Sequence, residues 1–384
     1  MVAAEAVRGT VADGFEAVRD QFAAVAASEP GLGAQLAAYR HGELVVDLWA
    51  GPELDGDSLL GVYSASKGAA HLVAALLVQD GVLDLDQRVS HYWPGLAVEG
   101  KRDITLRELL AHQAGLVGAD TGFTLDELAD DHAVAERLGA QRPYWRPGTA
   151  HGYHALVIAA LSGEVVRRAT GQTIAGHFAE RVRDPHRVDL YLGLPAAQEP
   201  RFLSAQPMLA TPERLAALAA AATGPNSLTG IAFNRNRPGS PEVWELPNFP
   251  VVRTAGPASY GGVASARGLA RMYAAAISPL DGAAPLLKPD TAAAFAQPHA
   301  VGYDLVTRDH KAFGVGFHVT SEYYPVLGQG TFGHSGAGGQ QAFADPRNGI
   351  AYAYSRRRFP FPAAAAPEND RLIRALYTAS QAPA

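Results

Sequence analysis

The chain has 384 residues, a formal net charge of −6 and no cysteine. Its length allows a large core in one or two domains. The missing thiols exclude disulfides, zinc–thiolate sites and cysteine catalysis, and the negative balance argues against a nucleic-acid backbone as partner. Residues 1–17 carry Glu5, Arg8, Asp13 and Glu16 and no apolar signal core. No run approaches the roughly 20 apolar residues that span a bilayer, so the expectation is a cytoplasmic protein with no membrane partner.

Taken in order, the pattern predicts an amphipathic helix over 11–28, then strands at 35–40 and 43–49 joined by a turn at His41-Gly42. A strand-like run at 59–63 gives way to a helix at 67–79. Thr105-Leu106-Arg107-Glu108 and Thr124-Leu125-Asp126-Glu127 have the spacing of capping boxes, the first opening a helix to Gln113 that Gly115 stops. Helices follow at 154–170, ended by Gly171, and at 173–182. Thr211-Pro212 starts another, to about residue 222. Residues 226–252 read as a long irregular loop, and 265–277 as a helix. Strands at 312–319, 340–344 and 350–355 and a helix at 369–380 close the chain. Arg356-Arg357-Arg358 reads as a solvated strand edge. Strands thus cluster at both ends and helices fill the middle. This predicts an α+β fold: one antiparallel sheet built from both chain ends, flanked by helices, with a mainly helical insertion. The expected division is an α/β unit, 1–80 plus 258–384, and a helical unit, 81–257.

Three short stretches can carry chemistry. Ser64-Ala65-Ser66-Lys67 places a hydroxyl and an amine three residues apart, on one face at a helix start, where a nucleophile can be activated. Tyr153 follows a Pro147-Gly148 turn. Gly333-His334-Ser335-Gly336-Ala337-Gly338-Gly339 is a glycine-rich stretch whose backbone N–H groups can approach a substrate oxygen closely. Other readings are weaker. Gly333–Ala337 falls one glycine short of a Gly-x-Ser-x-Gly elbow and precedes a strand, not a helix. His151 and His154 are spaced as a metal pair but lack a third ligand, and His112 is expected to be structural. The acidic stretch 120–131 reads as a solvated loop and helix face. No metal or cofactor is expected.

The order Ser-x-x-Lys, then a tyrosine after Pro-Gly, then a His-Ser-Gly strand resembles the serine β-lactamase and penicillin-binding-protein superfamily. Within it the chain resembles the class C β-lactamase-like branch and its family VIII carboxylesterases. The run Thr105-Leu106-Arg107-Glu108-Leu109-Leu110-Ala111-His112-Gln113-Ala114-Gly115-Leu116 is similar to that branch's Thr-x-x-x-Leu-Leu-x-His-x-x-Gly-Leu element. The resemblance implies a β-lactamase/DD-peptidase-like fold, Ser64 as the acylated nucleophile, and Lys67 and Tyr153 sharing the role of base. It implies an oxyanion hole from the N–H groups of Ser64 and Ala337. His334, Ser335, Gly336, His154 and Trp145 become candidates for binding a small-molecule ester or acyl donor. Trp244, Phe249 and Tyr260 are further candidates for the acyl pocket. Two departures bear on substrate. Tyr153-His154-Ala155 lacks the relatives' Tyr-x-Asn amide, and His334-Ser335-Gly336 replaces Lys-Thr-Gly, so a permanent cation becomes a titratable one. The resemblance therefore implies a serine carboxylesterase. The alternatives are acyl transfer to an amine or alcohol, β-lactamase or D,D-peptidase activity, and a non-catalytic ligand-binding relative.

Overall fold

The computed structural model describes residues 7–381; the first six residues of the 1–17 stretch, and 382–384, lie outside them. Nine strands form one antiparallel sheet, in the order Arg8–Val11, Glu43–Ala50, Ala34–Arg40, Ile350–Arg356, Gln341–Asp345, Phe332–Ser335, His318–Val319, His310–Phe313, Ala300–Tyr303. The two chain ends meet at its centre, where Ala34–Arg40 pairs with Ile350–Arg356 from Ala34↔Arg356 to Arg40↔Ile350.

Alternation along these strands decides what each face carries. Ala37, Ala342, Ala344, Ala351 and Ala353 point to one side, into the larger core. These small side chains let the helix Ala266–Ile277 lie directly on the sheet, with the helix Ser66–Gln79 and the helical region beyond it. Leu36, Phe343, Tyr352 and Tyr354 point to the other side, against the helices Glu16–Ser28 and Glu368–Gln381. Val18, Phe22 and Val25, spaced four and three apart, give the first of these a buried stripe. Each such buried side chain contributes about 2 kcal/mol. The phenols are not left bare: Tyr352 donates to Asn369 Oδ1 at 2.9 Å and Tyr354 to Glu368 Oε1 at 2.8 Å.

The helix signals hold where they were strongest. Thr105 and Thr124 form complete capping boxes, Thr211 caps the helix at Pro212, and Gly171 ends its helix in the left-handed region. Other boundaries move for physical reasons. The first helix starts at Glu16, not at residue 11, because Arg8–Val11 is an edge strand on Glu43–Ala50. The helix expected from His154 starts at Ile158, since the Ala155 carbonyl is engaged by Lys67 instead of by a helical N–H. Residues 312–319 split into two strands at Gly314 and Gly316, the latter with φ +84°. The supposed irregular loop 226–252 contains the helical turns Leu228–Ala232 and Val243–Asn248 and the start of Pro250–Ala255. Arg356 is not a solvated edge residue. It is buried and bridges Glu29 and Glu368, both at 2.8 Å.

Candidate active site

The strand Leu60–Gly61 feeds a tight turn. Tyr63 takes φ +47°, a left-handed conformation that a bulky aromatic residue adopts only at a cost. Its phenol donates to the Trp244 carbonyl at 2.9 Å. The chain then makes a 3-10 turn, Tyr63–Ala65, and enters the helix Ser66–Gln79. Ser64 therefore sits in the turn before the α-helix, two residues ahead of its first residue. Between Gly61 and Ala70 it alone is partly exposed.

Lys67 lies one turn on and is fully buried. Its Nζ lies 3.0 Å from Ser64 Oγ and donates to the Ala155 carbonyl at 2.6 Å and to the Ser259 carbonyl at 2.8 Å. Its polar neighbours are thus one hydroxyl and two carbonyls, and none is a carboxylate. Burial pushes the amine well below its ordinary pKa, with the charge of Asp131 opposing.

Tyr153 arrives from the loop between Pro147 and Ile158. Its ring lies beside Lys67, with Nζ 4.8 Å from the ring centroid. It stacks on Phe313 at 6.0 Å and His334 at 6.0 Å, with the edge of His112 at 5.1 Å. The phenol oxygen is buried without a completed hydrogen bond. Burial pushes its pKa up, and the neighbouring Ser64 hydroxyl opposes that rise. Ser64, Lys67 and Tyr153 are thus brought together from two regions separated by almost ninety residues.

The glycine-rich stretch closes on the same turn. Phe332–Ser335 is itself a strand, followed by a turn into Gly338–Gly339. A Cβ at Gly336 would lie 2.6 Å from the Val62 carbonyl, and one at Gly338 2.3 Å from the Tyr63 ring. Glycine is required because the backbones approach this closely. Ser335 and Ala337 remain partly exposed beside it. His334 is fully buried. Its Nδ1 donates to the Ser335 carbonyl at 2.8 Å, and its ring stacks on His318 at 4.0 Å. Burial holds the His334 imidazole well below its ordinary pKa and His318 down at about 3.

Of the expected pocket residues, His154 and Tyr260 are buried. His154 is fully buried, with Nδ1 donating to the Gly152 carbonyl at 2.7 Å and Nε2 accepting from Leu116 N–H at 3.1 Å. That leaves it nothing to offer a substrate; it braces the Tyr153 loop. Trp145 packs its ring edge on His154 and donates to the Ala150 carbonyl at 3.1 Å. Tyr260 is in the core, its hydroxyl donating to the Leu128 carbonyl at 2.8 Å. Phe249 packs against the main core, and the Trp244 carbonyl accepts from the Tyr63 phenol.

Other contributors carry no motif. Residues 257–262 form a clamp between the sheet and the helical region. Ala258 N–H donates to Asp131 Oδ2 at 2.9 Å, the Ser259 carbonyl holds Lys67, Ser259 Oγ accepts from Ala159 N–H at 2.8 Å, and Gly262 N–H donates to Ser66 Oγ at 2.9 Å. A carbonyl's role leaves no trace in residue type. Asp131, expected on a solvated face, has a buried carboxylate whose Oδ1 lacks a partner. Its place at a helix start hid this, because acidic residues are common there.

Known proteins resemble this chain along most of its length. A family model described as Beta-lactamase matches residues 18–376. The chain is 31% identical over 344 residues to "Esterase/beta-lactamase LipL" of Mycobacterium tuberculosis, covering 86% of this chain and 78% of that protein. It is similar to the structure of EstA from Arthrobacter nitroguajacolicus, with 39% identity, a TM-score of 0.90, and 97% and 98% of the two chains covered. It is also similar to a family VIII carboxylesterase structure, with 31% identity, a TM-score of 0.84, and 97% and 100% covered. No helix among the described residues is long and apolar enough to cross a membrane.

Proposed function

This chain belongs to the beta-lactamase family, and we propose that it works there as a serine carboxylesterase on small-molecule esters, with the acyl group carried on Ser64. The observation that carries the assignment is the 3.0 Å contact of a buried Lys67 amine with the one partly exposed residue of its turn.

An amine–phenol pair and an ammonium–phenolate pair hold the same number of protons and differ in where one of them sits. Burial disfavours both charged partners and so favours the neutral form, in which the Lys67 amine gives its two N–H groups to the Ala155 and Ser259 carbonyls and accepts from the Ser64 hydroxyl. Lys67 then accepts the Ser64 proton as Oγ bonds to the ester carbonyl carbon. The N–H groups of Ser64 and Ala337 hold the oxyanion, each worth about 3 kcal/mol. As the ester C–O bond breaks, the leaving alcohol takes the Tyr153 proton, which Lys67 replaces. Water then attacks the acyl-enzyme by the same route reversed. With the Lys-Thr-Gly cation replaced by a buried, neutral His334, recognition of a carboxylate-bearing β-lactam is weakened and a neutral ester is favoured. We also read the site as lying between an α/β unit, 1–80 plus 258–384, and a helical unit, 81–257.

The test is turnover of p-nitrophenyl esters of increasing acyl length by wild type, Ser64→Ala and Tyr153→Phe, with a chromogenic cephalosporin beside them. Ser64→Ala is expected to fold and be inactive. Tyr153→Phe is expected to lose roughly three orders of magnitude in kcat. Cephalosporin cleavage at rates matching the best ester would return the chain to the β-lactamases. An added alcohol or amine that diverts the acyl group would place acyl transfer on the same serine.

A further inference from the structure

The turn 304–309 joins the edge strand Ala300–Tyr303 to its neighbour His310–Phe313, and it belongs to no motif above. Asp304 within it is fully buried. Its Oδ1 accepts three backbone N–H groups: Tyr153 at 3.1 Å, Val306 at 2.9 Å and Thr307 at 2.8 Å. Beside it, Leu305 N–H donates to the His151 carbonyl at 3.1 Å. Two hydrogen bonds therefore dock this turn on the chain at 151 and 153. The fit is tight, since a Cβ at Gly152 would lie 3.1 Å from Val306.

The charge of Asp304 is not explained by these bonds. The amide oxygen of an asparagine would accept the same three N–H groups. Among the described residues no cation pairs with the carboxylate, and its Oδ2 is buried without a partner. An unpaired buried charge is costly, and this one lies against the backbone of Tyr153. Its field falls on the Tyr153 phenol, where negative charge opposes loss of the proton.

We propose that Asp304 is a positioning residue for Tyr153: Oδ1 fixes the backbone of Tyr153, and the carboxylate charge keeps the proton on its phenol until the leaving alcohol takes it. The proposal rests on the reading of Tyr153 as proton donor. The other groups facing the phenol are Lys67 and Ser64 from the nucleophile turn and helix, His112 from its loop, and His334, His318 and Tyr323 from the sheet side. Burial holds the three imidazoles neutral and disfavours charge on Lys67. Asp304 is the carboxylate in this set.

Asp304→Asn and Asp304→Ala test it, assayed for kcat and KM across pH beside wild type and Tyr153→Phe. Asp304→Asn keeps the acceptor and removes the charge. It is expected to retain kcat within about fivefold at its optimum, with the pH limb that reports the Lys67–Tyr153 pair moved down by about half a unit or more. Asp304→Ala is expected to lose about tenfold or more in kcat with little change in KM. If Asp304→Ala fails to fold, the Asp304→Asn profile decides alone. A profile that superimposes on wild type, while Tyr153→Phe remains inactive, overturns the proposal. A Tyr153→Phe variant of near wild-type activity overturns instead the reading of Tyr153 on which it rests.

Discussion

Single residues here are governed by burial more than by contacts between opposite charges. Asp131 is the clearest case. Burial pushes its carboxyl up to about 6, with Asp130 adding to the rise and the Ala258 N–H and Lys67 opposing it. A raised carboxyl stabilises the fold in its protonated form. That contribution is complete below the unfolded value and is lost as pH rises through about 6. Asparagine keeps an acceptor for Ala258 N–H and does not titrate. Urea denaturation should therefore show Asp131→Asn gaining on wild type by up to about 3 kcal/mol between about pH 4 and about pH 7. Identical pH dependence of the two proteins would exclude this account. That Ser64, Lys67 and Tyr153 lie together was expected from the Ser-x-x-Lys spacing and from the family resemblance that singled out Tyr153. Asp131 and Asp304 were not, because their significance lies in what the tertiary fold buries around them. His154 misled for the same reason: its neighbour is Tyr153, but its ring turns away into backbone partners.

At the scale of elements, the site depends on backbones held almost in contact. The glycine stretch 336–339 and the turn at Tyr63 approach so closely that one methyl group displaces both. Gly338→Ala should cut kcat by about tenfold or more and lower the melting temperature by several degrees. Gly224→Ala, where an added Cβ meets nothing within 4 Å, should match wild type in both measurements. Equal behaviour of the two variants would show that the turn is not under this constraint. Elements with strong local signals were readable: the capped helices and the hairpin at His41-Gly42. The edge strand Ala300–Tyr303 and its neighbour His310–Phe313 were read poorly. They are short, and their sequences Ala-Val-Gly-Tyr and His-Lys-Ala-Phe carry little alternation. Their neighbours in the sheet impose the strand conformation.

At the scale of the whole molecule, Arg356 ties the two terminal helices to the sheet through Glu29 and Glu368. Its side chain is 5% exposed and those of its partners 15% and 10%, so removing it leaves Glu368 with the Tyr354 hydroxyl as its partner and Glu29 with Arg358 alone, both in poor solvent. Arg356→Ala should cost about 3 kcal/mol in urea denaturation, whereas Glu53→Gln, at the exposed end of the pair with Arg357, should cost under about 1 kcal/mol. A small effect at both positions would make the basic triplet the solvated edge its sequence suggests. The architecture itself was legible because strand patterns gathered at the two ends of the chain and helices between them. The pairing of Ala34–Arg40 with Ile350–Arg356 also constrains how the protein is made. A ribosome releases the first of these strands long before it has synthesised the second. The early hairpin must wait, one flank unpaired, while some three hundred residues emerge. During that interval its open edge can recruit the wrong strand or another nascent chain. Yield in the cell is therefore set in part by elongation speed and by holdase chaperones that shield this flank, quantities that the stability of the finished fold does not reveal.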